Sequence, residues 1–291
     1  ALKYDIDPGR IVCGVGSDEI LKLACRAYIN PGDEVIYVSH SFSMYPIATK
    51  SVGGVPIEVA DVNYTANVDN ILNAITDKTR IIFLANPNNP TGTYIPISEV
   101  ERLWKNVPNN ILLVLDAAYA EFVEQDDYDA GIDLVERSTN ILMTRTFSKL
   151  YGLAALRLGW GYACKEIADT LDKVRDPFNV PSSAQVAGVA ALNDDQFEKK
   201  AIAFNNKWLK WLSSELSKLG LEAIPSVTNF ILIKFKCDIK TACAANDYLL
   251  NHGYILRYYS GEDLDDCLRL TVGTEQQNQQ VIALFKEFME A

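Results

Sequence analysis

The chain has 291 residues, 48% of them hydrophobic, enough for a large α/β unit with a smaller companion domain and a sizeable core. Its formal charge of -11, without a Lys/Arg-rich block, excludes an electrostatically driven nucleic-acid partner, although a few local donors can still make an anion pocket. Six scattered cysteines with no CxxC pair, and only two histidines, His40 and His252, argue against a metal site, a disulfide framework and most Ser/His or Cys/His mechanisms. They fit reduced thiols in a cytoplasm, and no signal peptide or apolar run of transmembrane length is present.

ALKYDID at the start reads as the end of a helix. Residues 10 to 13 form a short apolar strand that enters GVGSDEILKLACRAYI, where Gly14, Gly16, Ser17 and Asp18 make a turn. Ile20, Leu21, Leu23, Ala24 and Ala27 then recur at helical spacing. The turn is an ordinary N-cap, or a helix start whose free amides face an anion. PGDEVIYVS is a turn and a buried strand; in HSFSMYPIATKSVGG, Phe42 and Tyr45 read from composition as core aromatics. VPIEVAD is a further strand and residues 67 to 76 a helix, an alternation that predicts a mostly parallel sheet with helices on both faces.

The strand at 80 to 85 ends in NPNNPTG. Turn chemistry explains this composition, but not why polar amides gather at the carboxyl end of a buried strand, where open α/β sheets bind ligands. After a helix near 98 to 106, ILLVLDAAYAEF places Asp116 at the end of an apolar run, where a carboxylate is costly unless paired. The strand NILMTRTF leads into RTFSKLYGLAALRLGW, which groups Thr146, Ser148, Lys149 and Arg157 in apolar surroundings. A partly desolvated lysine there has a lowered pKa and can condense with an aldehyde, while hydroxyls and arginine bind a phosphate monoester. WGYA is a strand and is followed by a helix and RDPFNVPSSAQVAGVAAL. Residues 194 to 219 form a strongly periodic helix ending at Gly220. This helix connects to strand NFILIKF, a helix at 240 to 251, strands GYILRYY and CLRLTVG, and a last helix to Met289. No internal repeat is seen.

These motifs together resemble the histidinol-phosphate aminotransferase family of fold type I pyridoxal-phosphate aminotransferases, over essentially the whole chain. The resemblance implies a three-layer large domain at 1–192 and a smaller α/β domain at 193–291, with several dozen N-terminal residues of the family, including a substrate-contacting arm, outside this chain. It implies that Lys149 holds pyridoxal 5'-phosphate, that Phe42 lies on the ring, and that Asp116 pairs with the ring nitrogen. Asn89 and Tyr119 would share the phenolic oxygen, and Ser17, Asp18, Thr146, Ser148 and Arg157 the phosphate. Arg269 in CLRLTVG would bind a substrate anion, with Arg257 as a second contact; either is otherwise an ordinary exposed or paired strand arginine. Ala117 departs from the glutamate more common in the family.

The implied reaction moves an amino group between histidinol phosphate and 2-oxoglutarate in a homodimer. An aromatic amino acid or prephenate aminotransferase is the alternative. A threonine-phosphate-type decarboxylase shares fold and cofactor residues, and a pyridoxal-sensing regulator would need a basic DNA-binding module.

Overall fold

The computed structural model describes residues 1–237, 239–260 and 263–290. In β4 (Thr79–Ala85) and β5 (Leu112–Asp116) almost every side chain is buried. Successive residues point to opposite faces: Ile81, Phe83, Leu112 and Val114 join one core, and Ile82, Leu84, Leu113 and Leu115 the other. Burial on both faces is the mark of a parallel sheet covered by helices.

That sheet has seven strands, ordered β1 (Ile11–Gly14), β7 (Gly159–Ala163), β6 (Ile141–Thr146), β5, β4, β2 (Glu34–Val38) and β3 (Val55–Val59). The pairings from β3 through β6 are parallel, and β7 runs antiparallel to both β6 and β1. One face is packed by α1 (Ser17–Tyr28), α2 (Met44–Ser51) and α6 (Lys165–Val174). The other is packed by α3 (Val68–Asn73), α4 (Ile97–Asn106) and α5 (Ile132–Glu136). The chain is therefore α/β with a mostly parallel central sheet.

After α7 (Ser182–Leu192), Asp194 caps α8 (Asp195–Lys218) by accepting from the Phe197 amide at 2.9 Å. A left-handed Gly220 (φ 78°) follows the end of α8. A second sheet, all antiparallel, has the order β10 (Arg257–Tyr259), β11 (Leu264–Thr271), β9 (Phe230–Lys234), β8 (Glu222–Ala223). It packs with α8, α9 (Ala242–Asn251) and α10 (Glu275–Glu290) around its own apolar core.

Several expectations are corrected. ALKYDID is not a helix end: residues 2 to 5 form a turn with Asp5 at φ 51°, followed by a 3-10 turn at Pro8–Arg10. Pro8 disfavours helical geometry at Asp7, and Tyr4 instead packs on Trp160 with ring centroids 5.5 Å apart. The helix expected at 67 to 76 spans only Val68–Asn73, only the last three residues of GYILRYY pair as a strand, and β8 carried too short a pattern to be foreseen.

Because β7 is reversed, its first residue lies at the edge where β1 and β6 end: Gly159 is registered with both Gly14 and Thr146. A β-carbon on Gly159 would collide with the Ser17 backbone nitrogen and the Gly16 carbonyl carbon. Gly159→Ala is expected to cost on the order of 3 kcal/mol of stability, read by urea unfolding. A loss below about 0.5 kcal/mol would contradict this packing.

Candidate active site

The turn after β1, the loops after β4, β5 and β6, and the start of α1 open on one edge of the large sheet. Phe42 before α2 joins them in a single cleft lined by Ser17, Asp18, Phe42, Asn89, Asp116, Tyr119, Thr146, Ser148, Lys149 and Arg157. These are the ten cofactor residues expected from the sequence. Open α/β sheets bind ligands at this edge because the loops leaving the parallel strands diverge there.

At one end the cleft gathers backbone amides, hydroxyls and a guanidinium. Gly16 (φ 86°) turns the chain into α1, whose first amides are free of intrahelical partners. Glu19 steadies this turn by accepting from the Val15 amide and from Asn179 Nδ2, both at 2.7 Å. Asp18 directs Oδ2 to Lys22 at 2.7 Å, while its Oδ1 is buried without a partner. A carboxylate beside an anion site is tolerable only with its charge turned away, so the useful group of Asp18 is its backbone amide. Thr146 Oγ1 accepts from the Ser148 amide at 3.2 Å. Arg157, itself left-handed at φ 56°, donates to Val15 O at 3.2 Å and Ala154 O at 3.1 Å and lies 3.4 Å from Ser148 Oγ. Gly16 takes a positive φ that other residues adopt only at a cost, and a β-carbon there would lie 2.6 Å from Arg157 Nη2.

The other end holds a buried carboxylate beside aromatic rings. Asp116 ends β5 fully buried, accepting from Tyr45 at 2.9 Å and from Thr144 at 3.1 Å. Burial raises its pKa, opposed by the two hydroxyls, the Lys149 charge and the Ala118 amide. Tyr119 is buried edge-on to Phe230, and burial pushes its phenol up to about 12, so it remains a donor at neutral pH. The side-chain carbonyl of Asn89 accepts from Arg269, which leaves the amide nitrogen as the donating end.

Between the two ends sits Lys149, half-buried, its Nζ 5.2 Å from the Tyr119 ring centre. Its pKa is lowered by desolvation first and then by the Arg269 and Arg157 charges, with Asp116 opposing. A nucleophilic amine, an anion cradle and a buried carboxylate are the donor set that pyridoxal phosphate requires, and the residues present fit it.

The two arginines expected to contact substrate lie in different settings. Arg269 on β11 reaches the cleft through Asn89, packs its guanidinium 4.8 Å from the Phe230 ring centre, and has a buried Nε without a partner. Arg257, registered opposite it on β10, is exposed and lines a shallow groove with Arg269 and the start of α10. Tyr45 and Thr144 are members of the site that sequence reasoning did not select. The only signal for Tyr45 was its position three residues after Phe42, which puts both on one side of a helical turn.

The model for class I and II aminotransferases matches residues 2–285. A histidinol-phosphate aminotransferase of Paramagnetospirillum magneticum is 52% identical over 290 residues, spanning 99% of this chain and 80% of that protein. One of Nitrobacter hamburgensis is 46% identical, spanning 98% of this chain and 79% of that protein. The histidinol-phosphate aminotransferase of Sinorhizobium meliloti, solved in complex with pyridoxal-5'-phosphate, superposes with a TM-score of 0.94 at 27% identity, covering 100% of this chain and 79% of that one.

The charges around Lys149 generate a pH prediction. Arg269 disfavours the charged amine, so Arg269→Leu should raise the lysine pKa. The pH midpoint for borohydride-trapped reaction of Lys149 with an added aldehyde is expected to move up by about half a unit to one unit. A midpoint that stays put or falls would refute this account of the lysine.

Proposed function

Since the chain belongs to the class I and II aminotransferases and, within them, to the histidinol-phosphate aminotransferase family, a pyridoxal-phosphate-dependent group, we propose that its cleft moves an amino group between histidinol phosphate and a 2-oxo acid, 2-oxoglutarate. The observation that carries this reading is the placement of Lys149 and Asp116 in one cleft with donors for a phosphate between Ser17 and Arg157.

Bound there, pyridoxal phosphate supplies an aldehyde that accepts the substrate's amino group and a cationic ring that withdraws electrons from the substrate carbon. The α1 amides, Thr146, Ser148 and Arg157 would hold the phosphate, and Asn89 and Tyr119 would donate to the phenolic oxygen. Asp116 would keep the ring nitrogen protonated with its buried negative charge. Lys149 Nζ would take the proton from the amine-bearing carbon and return it as a general acid. Desolvation and the nearby arginine charges favour its neutral, proton-accepting form. Arg269 offers a planar fork to the phosphate of one substrate and to a carboxylate of the other, with Arg257 as a second anion contact at the groove.

We further propose two domains, 1–192 and 193–291, and a homodimer. α7 supports the dimer: it is apolar on all sides, yet Val186 and Val189 are exposed, and Phe178 just before it is 97% exposed. Among the described residues no helix is long and apolar enough to cross a membrane. We place the enzyme in the cytoplasm, where cysteines stay reduced; among the described residues no two form a disulfide.

The deciding experiment follows the visible spectrum of the cofactor-loaded chain during single turnovers with histidinol phosphate or phenylalanine. Conversion at far lower histidinol phosphate concentration is expected; an equal or better response to phenylalanine would move the enzyme to the aromatic group. Lys149→Ala should lose covalently held cofactor, and Asp116→Asn should retain cofactor while turnover falls about 100-fold or more. Unchanged turnover in Asp116→Asn would overturn the role given to that carboxylate.

A further inference from the structure

Tyr45 stands behind the cleft as a wholly buried residue of α2. Its ring stacks on Phe83 of β4, with centroids 4.7 Å apart and planes 6° from parallel. It meets Phe42 edge to face, with centroids 5.8 Å apart at 90°. Phenylalanine would serve the stacking equally well, and a buried hydroxyl is costly unless it is bonded. The bond it makes is to Asp116 Oδ2 at 2.9 Å, while Thr144 takes Oδ1 at 3.1 Å, so each carboxylate oxygen is held by one hydroxyl. One side chain therefore touches both the carboxylate and the aromatic assigned to the cofactor ring.

We propose that Tyr45 is a positioning residue shared by the two ring contacts: its hydroxyl keeps Asp116 ionised and in fixed orientation, and its ring sets the plane of Phe42. The inference rests on the pyridoxal-phosphate reading of the cleft and goes beyond it, because it concerns what holds Asp116 and Phe42 in place rather than what they hold. The phenol keeps its proton, since burial and the neighbouring Asp116 hold it well above the ordinary tyrosine range. It is thus a donor over the whole working pH range. Hydrogen bonds from Tyr45 and Thr144 pull the Asp116 pKa down against a desolvation that pushes it up. Removing the Tyr45 hydroxyl must let that pKa rise, so the carboxylate takes up its proton at a higher pH than before.

The test measures binding of pyridoxamine phosphate, which cannot condense with Lys149, to the cofactor-free full chain by fluorescence quenching across pH. Tyr45→Phe preserves the ring and deletes one hydroxyl. Its acid limb of affinity is expected to shift up by about one pH unit, with about tenfold weaker binding on that limb and recovery at higher pH. Thr144→Val should shift the limb in the same direction. A purely structural role would weaken binding by the same factor at every pH, and that result would overturn the proposal, as would a Tyr45→Phe profile superimposable on the parent's. If Tyr45→Phe does not fold, Phe83→Leu loosens the stack while keeping the hydroxyl. A smaller upward shift is then expected, and no shift counts against the proposal. Failure of the parent chain to bind pyridoxamine phosphate at any pH would instead remove the cofactor reading.

Discussion

A carboxylate at the end of an apolar strand has to be compensated, and the large sheet is organised around how Asp116 is compensated. β5 lies at the centre of the sheet, with β4 and β6 on either side and both faces covered by helices, so water cannot solvate the charge. Compensation comes from elements that only the fold brings near: a hydroxyl from α2, another from β6, and the amine of Lys149 beyond β6. Each stabilises the ionised form, and none alone offsets the full desolvation. The residual upward pressure on the carboxyl is what a cationic ring nitrogen would relieve, so cofactor binding and charge burial are one problem with one solution.

The end of the cleft between Ser17 and Arg157 is shaped by close approaches of backbone. β7 runs against its neighbours, which brings Gly159 to the same edge as the α1 turn and leaves no room there for a side chain. Gly16 likewise gives way to Arg157, whose guanidinium is tied to Val15 O across the turn. These close approaches hold amides and guanidinium in place before any ligand arrives, which lowers the ordering cost of binding. Beneath them the buried pair of Arg145 and Glu121, 2.9 Å apart, ties β6 to the segment after Tyr119. Lys149 and Tyr119 thus stand on backbone that is fixed from below.

The smaller sheet is joined to this frame by a few polar contacts beside the cleft. Arg269 reaches Asn89, Lys234 reaches the Tyr64 hydroxyl at 2.7 Å, and the Val227 amide donates to Gly92 O at 2.9 Å. Gly92 belongs to NPNNPTG, so the motif that supplies Asn89 also receives the second sheet. Arg269 and Asn89 are consequently placed by the same contact.

Local chemistry made much of this legible in the sequence. The apolar runs before Asn86, Asp116 and Lys149 mark strands buried on both faces, and polar groups at their ends mark the edge where a ligand sits, because backbone periodicity and the cost of buried charge act within a few residues. Family resemblance supplied the roles of Lys149, Asn89 and Arg269, and all ten expected cofactor residues fall in one cleft. What the sequence left undecided depends on partners far along the chain. ALKYDID reads as helix until Trp160 offers Tyr4 a ring to pack against, and Tyr45 reads as a core aromatic until Asp116, 71 positions later, takes its hydroxyl. The reversal of β7, and the setting of Arg257 on an exposed groove while Arg269 turns to Asn89, have no local signature, since strand direction and side-chain neighbours follow from pairing across the sheet. The sequence by itself determined which groups carry charge, nucleophile and turn; the tertiary structure decided which of them meet, because only burial in a common low-dielectric cleft makes their interactions strong enough to matter.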